Sequence, residues 1–84
     1  MNLIQPNEKT CDSIACRILS FENVIEARHS RRYIKEIRGY HYEGLFEDQS
    51  NLIIGPDYSI LMADYDISVE DHVEAYKIGL RSKK

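Results

Sequence analysis

The sequence has no long apolar run. Its longest, "NLIIG" and "ILMA", fall far short of the roughly 20 residues needed to cross a bilayer, so no membrane role is expected. The opening "MNLIQPNEKT" has no apolar stretch of signal-peptide length and no basic residue before Leu3, which points to a cytoplasmic protein. Cysteine is scarce as well. Cys11 and Cys16 are too few for a disulfide framework, and a spacing of five puts them on different faces of a helix. They read as small, largely buried side chains. The four glycines, at 39, 44, 55 and 79, are scattered, so no glycine-rich phosphate loop exists.

The most informative absence is local. From Gly39 to Tyr76 there is no Lys or Arg, while the same span holds nine of the 14 acidic residues and five of the six tyrosines. Residues 28–38 are the opposite: Arg28, Arg31, Arg32, Lys35 and Arg38 stand against Glu36 alone. The formal net charge of -3 conceals a dipolar chain.

What is present fits one small domain. The chain has 84 residues, 43% of them hydrophobic and 30% charged, an ordinary globular composition. A domain this small buries only a little over roughly 60% of its unfolded surface, which favours self-association or a partner. There is no internal repeat. Residues 1–10 read as a polar arm with Leu3 and Ile4 docking onto the body, and residues 11–84 as a single α+β domain.

From Asp12 the apolar residues follow helical spacing. Ile14, Ile18, Phe21 and Ile25 form one stripe, and Val24, Ala27, Ile34 and Ile37 a second. Residues 12–38 are therefore one long helix, or two jointed near Ser20-Phe21-Glu22-Asn23. A hairpin turned at Glu22-Asn23 competes, but it would place Arg17 among inward apolar residues. Gly39 offers a stop. Beyond it, "YHYEGLF" has the short aromatic texture of an edge strand. "NLII" and "YSILMADY" flank Gly55-Pro56-Asp57-Tyr58, where Pro56 and Asp57 suit the second and third positions of a type I turn. A last helix starts after Ser68, a good N-cap, with Glu70 and Asp71 in its first turn and Val69, Val73, Tyr76 and Leu80 as its apolar stripe. The expectation is an N-terminal helix or two, an antiparallel sheet of two or three strands, and a C-terminal helix.

The stretch "MADYDISVEDHVEAY" invites a metal reading. An EF-hand loop starting at Asp64 would need Gly where Val69 stands and a bidentate Glu where Ala75 stands, so it fails. Asp64 and Asp66 could hold magnesium beside a substrate phosphate, but they read more simply as solvated carboxylates before a helix cap. Cys11, Cys16, His29, His41 and His72 lack the close ligand pairs of zinc sites, and the histidines read as surface or boundary residues. No nucleophile elbow is present. No cofactor or metal is expected, and nothing argues for an enzyme, a small metal-dependent one being the weakest of the alternatives.

Two functional readings remain. Acidic residues among tyrosines suit a protein interface, because aromatics bury area at low entropic cost and carboxylates steer a basic partner. On this reading the chain is a non-catalytic protein–protein interaction module, a homodimer or a regulatory or inhibitory binder, with its contact surface centred on Tyr58, Asp64, Tyr65 and Asp66. Alternatively a basic helix over 28–38 could track nucleic-acid phosphates through Arg28, Arg31, Arg32, Lys35 and Arg38. Against this, the chain as a whole is acidic, with a pI near 5.5. A plainer account of the same pattern is that the basic stretch neutralises the acidic one, within the chain or across a homodimer.

Overall fold

The computed structural model describes residues 6–44 and 50–82. Two helices, α1 (Glu8–Ile18) and α2 (Val24–Ser30), precede four strands, β1 (Arg32–Ile34), β2 (Gly39–Tyr42), β3 (Asn51–Ile54) and β4 (Ile60–Ala63), and α3 (Val69–Lys77) closes the order. The strands form one antiparallel sheet in the order β1-β2-β3-β4. The α+β class is as the sequence implies; the sheet has four strands where two or three were expected.

The helix breaks where the joint was placed. α1 starts earlier than the apolar stripe suggests, at Glu8, because Asn7 caps it by accepting from the Thr10 amide at 3.0 Å. It therefore begins inside the stretch read as an arm; Leu3 and Ile4 lie outside the described residues. Ser20 adopts a left-handed φ of 57° and ends the helix, and Asn23 caps α2 by accepting from the Glu26 amide. With the break, Phe21 and Ile25 no longer continue the stripe of Ile14 and Ile18. The face that enters the core is Cys11, Ala15 and Leu19, while Ile14 and Ile18 sit half-buried at its margin. Small side chains at 11, 15 and 27 let both helices lie close to the sheet.

Residues 31–38 depart furthest from expectation. Their apolar spacing predicts helix, yet Arg31 is extended (ψ 130°) and only β1 and a tight turn follow. Ile34 and Ile37 keep their three-residue spacing because they bracket that turn, closed by Ile37 N–H to Ile34 C=O at 3.3 Å and by Arg38 at a left-handed φ of 51°. There is thus no basic helix over 28–38. The added strand β1 also moves "YHY" from the edge to the second position of the sheet, where every residue of β2 is buried.

Strand alternation sorts the core into two layers. Tyr40, Tyr42, Leu52, Ile54 and Ile60 face α1 and α2; Ile34, Ile53 and Leu61 face Val73 and Tyr76 of α3. The β3–β4 turn forms as the sequence requires: Tyr58 N–H donates to Gly55 C=O at 3.0 Å, and Tyr58 takes a left-handed φ of 64°.

Candidate interaction surface

Immediately after β4 the chain turns over Asp64–Ile67, with Ile67 N–H donating to Asp64 C=O at 3.0 Å. Asn51, buried in β3, steadies the loop by donating from Nδ2 to Tyr65 C=O at 3.4 Å. Ser68 then caps α3 by accepting from Asp71 N–H at 3.1 Å. The result is a run of exposed side chains in which two apolar ones, Tyr65 and Ile67, stand among four carboxylates, Asp64, Asp66, Glu70 and Asp71. Tyr65 is 41% and Ile67 39% exposed, so both present apolar surface to solvent.

The expected four-residue centre is split. Asp64, Tyr65 and Asp66 share this loop, but Tyr58 lies at the far end of β4. Its hydroxyl accepts from the Asn7 amide at 2.9 Å. Together with Ile14, Arg17, Ile18 and Ile60 it lines an apolar groove of about 410 Å³.

The basic residues are likewise dispersed: Arg28 on α2, Arg32 on β1, and Lys35 and Arg38 in the β1–β2 turn, all exposed. Arg31 is held inside. It donates from Nη1 to Asp12 Oδ2 and from Nη2 to Glu8 Oε2, both at 2.8 Å, while Tyr42 donates its hydroxyl to Asp12 Oδ1 at 2.7 Å. Burial works against the Arg31 charge, but Asp12 and Glu8 outweigh it and raise its pKa. Burial, then the Asp12 carboxylate, pushes the Tyr42 phenol far above its usual range, which fixes it as the donor.

Among the described residues the ion pairs are Arg31–Glu8, Arg31–Asp12 and Lys77–Glu74. Among the described residues none joins the basic 28–38 stretch to the acidic 39–76 stretch as a direct ion pair; Glu47 and Asp48 lie outside the described residues.

Sequence reasoning missed the buried polar groups. Asp12 was read only as a helix start, and its partners Arg31 and Tyr42 are 19 and 30 residues away. His41 and His72, expected near the surface, are 3% and 1% exposed. His41 faces α3 by strand alternation, and His72 faces the sheet beside Val69, Val73 and Tyr76, its Nε2 2.8 Å from Leu61 C=O. The one available signal was that spacing on α3. His29 is exposed on α2.

Among the described residues no group of three or more His, Cys, Asp or Glu side chains converges as a metal site, and no helix is long and apolar enough to cross a membrane. No protein-family model matches the chain, and no curated protein or solved structure is significantly similar to it.

Proposed function

We propose that the chain is a non-catalytic protein-binding module, and that the loop Asp64–Ile67 with the first turn of α3 is its contact surface. The observation that supports this is the pairing of exposed apolar side chains, Tyr65 and Ile67, with four carboxylates that make no ion pair among the described residues. Tyr65 and Ile67 supply area that gains from leaving water, and Asp64, Asp66, Glu70 and Asp71 attract and orient a basic partner. Rim charges of this kind act mainly on association rate and salt dependence.

Immobilised wild-type protein and its Asp64→Lys/Asp66→Lys variant, exposed to extract of the cells that make the protein, test the surface. Proteins retained by the wild type at low salt and lost by the variant carry the reading. An identical set on both columns, with the variant's melting temperature unchanged, removes this loop from any binding role.

A further inference from the structure

Strand β4 lies at an edge of the sheet, but its outward backbone is already occupied. Ser82 N–H donates to Ile60 C=O at 2.8 Å, and Met62 N–H donates to Ser82 Oγ at 2.8 Å. The edge is therefore closed to an added strand there, and contact along it must be made by side chains. Those side chains are unusually apolar. Among the described residues, four of the eight exposed large hydrophobic side chains, Met62, Tyr65, Ile67 and Leu80, lie on β4, on the loop after it, or on the C-terminal segment that bonds to it.

The two ends of β4 are complementary. One end carries the apolar groove of Ile14, Ile18, Tyr58 and Ile60 with Arg17 at its lining. The other carries Tyr65 and Ile67 between Asp64 and Asp66. Arg17 is exposed on α1 and, like Asp64 and Asp66, makes no ion pair among the described residues. Met62, 36% exposed, stands between the two ends.

We propose that the acidic loop binds a second copy of this chain, in a two-fold dimer centred near Met62, with Tyr65 and Ile67 of each copy over the groove of the other and Asp64 and Asp66 facing its Arg17. This rests on reading the loop as a binding surface and names its partner. A rotation about Met62 exchanges the ends of β4, so the separation between groove and loop in one copy is matched by the same separation, reversed, in the other. No coincidence of lengths is needed, and both contacts close at once. A foreign basic segment would have to bring its own apolar groove and cation; the second copy already has both. The added apolar burial also suits a chain too small to bury much alone.

Light scattering of the full chain over a range of concentrations, at low and at high salt, reads the dimer directly. The wild type is expected to dimerise in the micromolar range and to weaken in salt. D64K/D66K and R17E should each weaken dimerisation by about tenfold or more, since each sets like charges face to face. Mixing R17E with D64K/D66K should restore dimers, because both contacts of the mixed pair then join opposite signs. That recovery also shows that both variants are folded. A wild type that stays monomeric to millimolar concentration overturns the proposal, as does a dimer indifferent to both variants or a mixture that stays monomeric. A monomer that still captures a foreign protein through Asp64 and Asp66 would overturn the second copy as partner and leave the binding surface standing.

Discussion

His41 and His72 meet edge to face between the sheet and α3, their ring centroids 5.3 Å apart and both rings buried. Nε2 of His41 and Nδ1 of His72 are buried with no hydrogen-bond partner among the described residues. Two imidazoles so placed are tolerable while neutral, because an unpaired ring nitrogen costs far less to bury than an imidazolium. Burial is the main cause that lowers the His41 pKa to about 4, with His72 and then Arg32 adding to it. The His72 pKa is also lowered by burial, against the opposing pull of the Leu61 carbonyl.

The pair makes folding sensitive to acid. An unfolded histidine takes up its proton near pH 6.5, but folded His41 holds off to about 4, so between these values the unfolded chain binds more protons. The stability is fully present above about pH 6.5 and is lost as pH falls toward 4, at a cost of about 3 kcal/mol from His41 alone. Urea unfolding followed by circular dichroism from pH 7 to pH 4 should show this fall. In a His41→Leu variant it should be distinctly shallower, the residue being the titration of other groups. An equal slope in the variant would mean that His41 takes up its proton at the same pH folded and unfolded.

The Asp12 carboxylate joins three elements, since it sits on α1, accepts from Arg31 at the end of α2 and from Tyr42 on β2. Removing it strands a guanidinium whose side chain is only 17% exposed, with Glu8 as its remaining partner. Asp12→Ala should cost about 3–5 kcal/mol, a large part of the stability of a domain this size. Tyr42→Phe removes one donor and leaves Arg31 paired, and should cost about 1–3 kcal/mol. Because both act on one network, the double variant should lose less than the two costs combined. Additive losses in denaturant titrations would mean that the three groups act independently.

Particular residues show how much of this could be read from the chain. Pro56 and Asp57 fixed a turn by local chemistry alone, and Ser68 a helix start, so both appear where expected. Residues 31–38 misled because a three-residue spacing of Ile34 and Ile37 serves a helix and a four-residue hairpin loop equally well. Only pairing with β2, through Tyr33 opposite Tyr40, decides between them. The loop Asp64–Ile67 is legible as acidic and aromatic, but only the fold shows that the length of β4 separates Tyr58 from it. Asp12 and His41 carry no local signature, since their burial is set by contacts across the fold, and His72 has only its spacing beside Val69, Val73 and Tyr76 on α3.

Ser68 offers a local test of helix capping. Its hydroxyl accepts from Asp71 N–H at 3.1 Å in the exposed first turn of α3. Ser68→Ala should therefore cost about 1 kcal/mol, and Ser68→Asp should restore most of it. Thermal melts of the three proteins would show it. Equal melting temperatures would indicate that α3 is held by its packing on Ile53 and Leu61 alone.

Gly55 is required by its neighbour rather than by its backbone. A Cβ built there overlaps the hydroxyl and ring of Tyr76, which reaches over the β3–β4 turn to within 2.7 Å of Ser59 Oγ. Tyr76 is in turn pinned by Arg81, whose guanidinium lies 3.5 Å from the ring centroid and donates to the Tyr76 carbonyl at 2.7 Å. The ring cannot swing aside without losing its stacking on Arg81 and its hydroxyl's hydrogen bond with Ser59. Gly55→Ala should cost about 1–3 kcal/mol, as overpacking in a close-packed site does. Adding Tyr76→Phe should recover part of that loss, because the hydroxyl makes the nearest clash while the ring carbon behind it still crowds the methyl. Chemical denaturation of the single and double variants measures the recovery; no recovery at all would mean that the turn backbone, and not Tyr76, excludes the side chain.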